Sequence, residues 1–371
     1  MSYSIGKTTT LLLLIMTALI FTTTPGCRKA APIETTPEDE ATTEPAPSVS
    51  EAETSGAIIF DATVAAQNGL FETARAMLES LLEREPDNLE ALRLLARVYS
   101  AAGDAASSAR TWGRVSELDP ADPDAAYESG TALARKGLWQ DLRTKMLGAE
   151  GYGTADARHF LLLGEASLEL GYGQEAEKYL RKAGDIELAT VLLGKLYYGR
   201  GNTALAEEAF RRTLEKNSMN YLANLHMGYI SFSEGRKAAA LKYYTKAHKA
   251  DPSDPLACLS MASLYEKMGR SGEAVEYYRK ALGLEKTPRV ERKKVYVSLT
   301  KILLQENRLS ETGTAAAEGI REFPAAGGIL YYWGEALLRQ GDSAGAKEKF
   351  KKAAEDPAWK KHALERFHSI R

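Results

Sequence analysis

The residues that could carry chemistry are few in this chain of 371 residues, and their spacing argues against a catalytic or metal site. No histidine stands in an HExxH pattern or pairs with a cysteine at a ligand spacing, so we predict no metal and no cofactor. A GxSxG nucleophile elbow and a glycine-rich loop after a strand are also missing from the sequence. We therefore predict that the chain is not an enzyme. The residues considered are Cys27, Cys258, His159, His226, His248, His362 and His368.

The composition is that of an ordinary soluble globular protein. Hydrophobic residues make up 44% of the chain and charged residues 26%, and the formal net charge is -2. Binding to nucleic acid requires a strongly basic surface, and a net charge of -2 gives no indication of one. We therefore predict no nucleic-acid partner.

The first 26 residues have the pattern of a signal peptide. A short polar start that contains Lys7 is followed by an apolar run over residues 11–21. A run of this length is too short for a comfortable transmembrane helix and suits a secretory signal. Residues 1–26 are therefore predicted to be a signal peptide.

The end of this segment resembles the cleavage site of bacterial lipoproteins, because Gly26 is followed by Cys27. The resemblance implies that Cys27 is lipidated and that the chain is anchored in the cell envelope. Thr24 and Pro25 depart from the usual pattern, so an uncleaved anchor and a plain secretory signal stay open as alternatives. Arg28 stands where the family's inner-membrane retention signal has Asp, which favours the outer membrane facing the periplasm.

Residues 27–54 are predicted to be a disordered acidic tether. The segment is rich in Pro, Thr and Glu and has few large apolar side chains, so it cannot bury enough surface to offset the entropy of ordering. A solvated spacer is the favoured interpretation, and an acidic docking motif is the alternative. The carboxylates are Glu34, Glu38, Asp39, Glu40, Glu44, Glu51 and Glu53.

An internal repeat organises residues 55–360. A small side chain recurs mostly every 34 residues, and a bulky residue follows it sixteen positions later in most units. Such a small residue lets two consecutive helices pack closely. The small slot is filled by Ala62, Ala96, Gly130, Gly164, Gly194, Gly228, Ala262, Thr300 and Gly334.

A period of 34 residues with two helices per unit resembles the tetratricopeptide repeat. The closing prolines Pro86, Pro120, Pro252 and Pro324 fall in phase with it. The resemblance implies an all-α fold, an α-solenoid in which about nine units form a right-handed superhelix. Residues 361–371, with the preceding Trp359, are predicted to form a C-terminal capping helix. The four extra residues near 286–294 are expected to lie in a turn.

In this family the first helix of each unit lines an inner groove. The resemblance therefore predicts an apolar and aromatic groove in the middle of the array, where a protein or peptide partner binds. The alternative is that these side chains only fill the space between successive helices. The predicted groove residues are Leu161, Leu168, Leu188, Val191, Lys195, Tyr198, Leu222, Leu225, Tyr229, Phe232, Leu256 and Leu259.

The function predicted from these features is a non-catalytic envelope lipoprotein that acts as a scaffold. Similar lipoproteins assist the assembly of pili, secretion channels, outer-membrane proteins or exported polysaccharide. A self-associating structural scaffold and a cell-wall-active enzyme accessory are the alternatives. Some family members bind a carboxylate ligand with basic groove residues. In this chain Arg93 and Arg97 are the only candidates for that role, so a carboxylate ligand is disfavoured.

Overall fold

The computed structural model describes residues 54–370, and this range contains nineteen α-helices and no strand. The predicted signal peptide, Cys27 and nearly all of the predicted tether lie outside the described residues. The described chain is therefore all-α, as the repeat predicts. It divides between Ile186 and Glu187 into two compact parts, each made of several repeats, which we call the first unit and the second unit.

Within each unit the helices follow one another as hairpins joined by short turns, and each helix packs mainly on its neighbours in the chain. The first unit contains α1 (Ser55–Gln67), α2 (Phe71–Arg84), α3 (Leu89–Ala101), α4 (Ala105–Leu118), α5 (Pro123–Arg135), α6 (Trp139–Gly151), α7 (Ala157–Glu169) and α8 (Gly173–Lys182). The second unit contains α9 (Glu187–Gly199), α10 (Thr203–Lys216), α11 (Tyr221–Ser233), α12 (Lys237–Ala250), α13 (Pro255–Lys267), α14 (Ser271–Gly283), α15 (Arg289–Gln305), α16 (Leu309–Glu322), α17 (Gly327–Arg339), α18 (Ser343–Ala353) and α19 (Lys360–Ser369).

Local sequence sets where these helices stop and start. Gly201 between α9 and α10 has a φ of 76°, a left-handed conformation that glycine adopts without strain. The next residue, Asn202, caps α10 by accepting a hydrogen bond from the backbone N–H of Leu205 at 3.3 Å. The predicted closing prolines each lie two residues after the end of a second helix, namely α2, α4, α12 and α16.

The small slot brings the two helices of a repeat into direct contact. A Cβ atom on Gly228 would lie 2.3 Å from the Tyr244 ring, and one on Gly164 would lie 2.5 Å from Leu180. Real Cβ atoms do not approach so closely, so these glycines are needed for the observed helix spacing. All nine residues of the slot are buried, which confirms the pairing predicted from the sequence.

Two departures from the regular period have different structural outcomes. The shortened fourth repeat has a short second helix, since α8 contains 10 residues. The four extra residues near 286–294 do not enlarge a turn, and that expectation was wrong. They lengthen α15 to 17 residues, which adds about one helical turn after Pro288, a residue suited to the start of a helix.

The C-terminal end is covered by the predicted terminal helix. In α19, Ala363 is fully buried, and Ile370 directly after the helix packs beside Phe350. Trp359 lies against Gly328, where an added Cβ would come within 2.9 Å of the indole. The last repeat therefore does not present its apolar face to water at this end.

The close contact at Gly228 gives a stability prediction. Gly228→Val should lower the free energy of unfolding by about 2 kcal/mol, because the added atoms collide with the buried Tyr244 ring. Gly272→Val in α14 is the matched control, since a Cβ there meets nothing within 4 Å. Urea denaturation followed by circular dichroism measures both, and an equal loss in the two variants would contradict the steric account.

Candidate functional site

The second unit holds most of the predicted groove residues, on α9, α11 and α13. Val191 and Leu225 are 1% and 2% exposed, so these two side chains are packing residues of the core. The other eight are half-buried. We call them the inner stripe: Leu188, Lys195, Tyr198, Leu222, Tyr229, Phe232, Leu256 and Leu259.

The first unit contributes only a short apolar element of the predicted groove. Leu161 and Leu168 on α7 are half-buried, while Glu165 between them is 7% exposed. In α3 of the same unit the corresponding positions carry charge, with Glu90, Arg93 and Arg97. The apolar surface that a partner could reach is therefore best developed in the second unit.

His226, which the sequence analysis considered only as a possible metal ligand, contacts two tyrosines of the inner stripe. His226 on α11 stacks on Phe210 with ring centroids 5.1 Å apart and an interplanar angle of 5°. The Tyr198 and Tyr229 rings meet His226 edge-on, at 5.5 Å and 5.6 Å. Aromatic rings favour both arrangements. The imidazole thus fixes the orientation of one tyrosine on α9 and one on α11.

The same environment keeps His226 neutral. Burial lowers its pKa from the usual 6.5 to about 3, and the positive charge of Lys195 adds to this effect. The buried Nδ1 atom has no hydrogen-bond partner in the described part of the chain. An uncharged ring at this position is compatible with the apolar character of the stripe.

The stripe rests on the core of the second unit. Tyr229 packs edge-on against Tyr244 with centroids 5.7 Å apart. Phe232, Leu256 and Leu259 pack against the same buried cluster. Each of these side chains has one side in the core and another side open to water, which is the arrangement of a preformed apolar surface.

An ion pair borders the stripe on α13 and α15. Lys301 Nζ lies 3.3 Å from Glu266 Oε1, and the Tyr278 hydroxyl donates a hydrogen bond of 3.0 Å to Glu266 Oε2. These charges are matched within the unit. The polar border therefore limits the apolar surface on this side.

The two arginines considered for carboxylate binding are already engaged within the first unit. Arg93 pairs with Asp119 at 3.0 Å and also with Asp122, while Arg97 pairs with Asp124 at 2.7 Å. A carboxylate ligand would have to displace these acids. This geometry agrees with the sequence argument against that ligand class.

Among residues 54–370, the remaining histidines and Cys258 do not form a cluster with metal-binding or nucleophilic geometry. In residues 54–370 no group of three or more His, Cys, Asp or Glu side chains could hold a metal ion. Cys258 is buried, with its Sγ atom 3.5 Å from His248 Nδ1, and burial raises the pKa of the thiol. A protonated, buried thiol is a poor nucleophile. No helix in the described range is long and apolar enough to cross a membrane.

The buried histidine predicts a pH dependence of stability. The unfolded chain binds a proton at His226 below about pH 6.5, whereas the folded chain does so only near pH 3. The contribution of neutral His226 to the free energy of unfolding is therefore fully present above pH 6.5, and it is lost as the pH falls toward 3. At pH 5 this group should cost about 2 kcal/mol relative to pH 7.

His226→Phe should remove that part of the pH dependence while keeping the stack on Phe210. Urea denaturation at pH 7 and pH 5 gives the comparison, with His368→Gln at an exposed position of α19 as the control. If His226→Phe and the unmodified chain lost the same stability between the two pH values, the neutral buried histidine would be excluded.

Several segments of the chain match models of one family. Residues 65–136, 191–255, 256–288 and 329–357 each match a model described as tetratricopeptide repeat. Together these segments make up more than half of the chain. No curated protein matches the chain as a relative.

Solved structures also show similarity in fold. A structure of YrrB, described as a TPR protein with an unusual peptide-binding site, is 19% identical, covers 48% of this chain and 95% of its own, and has a TM-score of 0.40. A tetratricopeptide repeat protein from Parabacteroides merdae is 18% identical with coverages of 76% and 97% and a TM-score of 0.44. The human IFIT1 dimer with PPP-AAAA is 15% identical, with coverages of 80% and 81% and a TM-score of 0.44.

These TM-scores are below 0.5, so the solved structures carry no argument about a ligand. The family rests on the matched segments and on the repeat itself, with its buried small slot and its helix pairs. The chain belongs to the tetratricopeptide repeat family, whose repeats generally serve as non-catalytic scaffolds for protein–protein interaction.

Proposed function

We propose that this chain is a non-catalytic scaffold that binds a protein or peptide partner on the inner stripe of its second unit. The observation that carries the proposal is the run of half-buried apolar and aromatic side chains on three successive first helices, α9, α11 and α13. A contiguous apolar surface of this kind is typical of an interaction site.

The chemistry of the stripe favours an apolar polypeptide segment. Seven of its eight residues are apolar or aromatic, and Lys195 is the charged exception. The two tyrosines at Tyr198 and Tyr229 offer broad, rigid contact area at a low cost in side-chain entropy. An extended peptide or one face of an amphipathic helix has the shape and polarity to cover such a surface.

The helix packing holds the stripe in place before a partner arrives. Gly194 against Phe210 and Gly228 against Tyr244 fix the spacing within two successive repeats. Because the side chains need little reordering, less binding free energy is lost when a partner docks.

The proposal includes attachment to the cell envelope. The sequence support is the resemblance of Gly26 and Cys27 to a lipoprotein cleavage site and the acidic segment that follows. Lipid on Cys27 would anchor the chain, the segment over residues 28–53 would give reach, and the repeats would raise the local concentration of the partner. Assembly of a pilus, a secretion channel, outer-membrane proteins or exported polysaccharide is the role that this arrangement serves.

The groove proposal is tested by two pairs of substitutions. Phe232 and Leu259 belong to the inner stripe, while Leu241 and Leu282 lie on the second helices α12 and α14, and all four pack against the same core cluster. Changing either pair to Ser should cost similar stability, about 2 to 4 kcal/mol. Only the double variant Phe232→Ser, Leu259→Ser should lose binding of the partner.

Quantitative crosslinked co-purification from the native envelope measures partner capture, and thermal melting checks that both variants are folded. Equal capture by the two double variants, or loss in the Leu241 and Leu282 variant alone, would contradict the inner stripe as the binding surface.

The anchor has a separate test. Cys27→Ser should abolish labelling of the chain with a radioactive fatty acid and move the protein out of the membrane fraction, because the acyl acceptor is lost. Cys258→Ser, at a buried thiol, is the control and should keep both the label and the location. Labelling that persists in Cys27→Ser would contradict the lipoprotein proposal.

A further inference from the structure

The second unit has a surplus of basic residues that the net charge of the whole chain hides. Residues 187–370 contain thirty Lys and Arg residues against twenty-two Asp and Glu residues, whereas the described part of the first unit has an excess of acids. A charge difference of this size between two parts of one chain indicates a charged partner for one of them. The place where the surplus is concentrated identifies the surface that such a partner would contact.

The surplus is concentrated on α12. This helix carries four lysines and no acidic residue. The second helices of the adjacent repeats are balanced, since α10 has three acidic and three basic residues and α14 has two of each. α12 is therefore a local centre of positive charge between two neutral second helices.

Three of the lysines form a row on the outer side of α12, which we call the lysine row. Lys242, Lys246 and Lys249 follow one another at spacings of about one turn, so the row extends about 10 Å along the helix. Ala240 and Tyr244, which are buried in the core, lie on the other side of the helix. The row therefore points away from the core.

The lysine row has no counter-charge in the described part of the chain. None of its three ammonium groups forms an ion pair or a hydrogen bond with a residue in the range 54–370. The fourth lysine of α12, Lys237, donates a hydrogen bond of 3.2 Å to the carbonyl oxygen of Lys267. On α14, Lys280 pairs with Glu276 at 2.7 Å. The row is thus the part of this surface that is open to an external anion.

The composition of the outer side of α12 argues against a protein partner at this place. Besides the row it carries Ala238 and Thr245, so it has no large apolar or aromatic side chain to form the core of a protein interface. Lysine itself is depleted from such interfaces.

The kind of cation also indicates the kind of anion. Arginine is the residue of choice for bidentate recognition of phosphate groups and for nucleic-acid recognition, and α12 contains none. Lysine is a compact charge on a flexible stem and requires no fixed geometry. Three such groups in a row suit an extended surface with many negative charges, which is the character of a membrane with anionic lipids.

We propose that the lysine row of α12 contacts the anionic phospholipid headgroups of a membrane. Each lysine held near such a surface strengthens the association about fivefold, so three together give roughly a hundredfold. The contact leaves the inner stripe free for a partner, because the stripe lies on the first helices α9, α11 and α13. The inference requires neither the groove proposal nor lipid on Cys27.

The test uses the full chain, purified from its native cells and reconstituted with lipid vesicles. Ala238, an exposed residue of α12, is replaced by a fluorescent amino acid, and the vesicles contain a lipid whose nitroxide headgroup quenches fluorescence only at close range. Quenching should be at least about tenfold stronger in an equimolar mixture of phosphatidylglycerol and phosphatidylcholine than in phosphatidylcholine alone. High salt should remove the difference, because mobile ions screen the charges.

Lys242→Gln, Lys246→Gln and Lys249→Gln together should reduce the quenching to the level found with phosphatidylcholine alone. The matched control is Lys351→Gln, Lys360→Gln and Lys361→Gln, which removes the same charge from exposed positions of the same unit and should keep the quenching. Because quenching reports the position of α12, the outcome does not depend on how the chain is attached to the vesicle.

No quenching in the anionic vesicles, equal quenching in the two lipid mixtures, or equal loss in the two triple variants would each overturn the proposal. Duplex DNA and polyglutamate are added separately, at a negative charge equal to that of the lipid. Loss of the quenching with either one would also overturn the proposal and would assign the row to a nucleic acid or to an acidic polypeptide.

Discussion

Contact between a small residue on the first helix of a repeat and a bulky residue on the second is the constraint on which this structure depends. A Cβ on Gly194 would come within 2.6 Å of the Phe210 ring, and one on Gly228 within 2.3 Å of Tyr244. The missing side chains let the helices approach until these rings are fully enclosed. Burying one such ring stabilises the fold by about 1.5 to 3 kcal/mol. Since each repeat also needs its neighbours, the contributions accumulate along each unit.

The same contact determines what the repeats can present to a partner. Once the helix pairs are fixed, the side chains on the free side of α9, α11 and α13 have little choice of position. His226 adds a second constraint, because its ring holds Tyr198 and Tyr229 edge-on while staying neutral. The resulting surface is rigid, half-buried and largely uncharged. Such a surface suits recognition of an apolar segment.

Much of the fold could be predicted from the sequence because the small and bulky residues that pack against each other recur at a fixed spacing. Residues such as Gly228 and Tyr244 fall sixteen positions apart since both must meet, and the closing prolines mark helix ends. The turn expected near residues 286–294 was wrong, because added residues that form helix easily can extend α15 instead of a loop. The repeat period gives the number of inserted residues but does not determine whether they form a turn or extend a helix.

The site was less accessible to sequence reasoning. The resemblance to the tetratricopeptide repeat implied that Val191 and Leu225 line the groove. The packing of neighbouring helices buries both side chains instead, and the sequence pattern does not show that packing. The role of His226 depends on Phe210, a ring from the preceding repeat, and a one-dimensional pattern does not show that contact.

Side-chain footprinting tests the central claim most directly. Hydroxyl-radical labelling of the chain in its native envelope is compared with that of the purified chain. Tyr198, Tyr229 and Phe232 should be labelled less in the envelope, because a partner covers the inner stripe. Tyr243 and Tyr277, which are half-buried on the second helices α12 and α14, should be labelled equally in both. Unchanged labelling of the stripe, or protection confined to Tyr243 and Tyr277, would contradict the account.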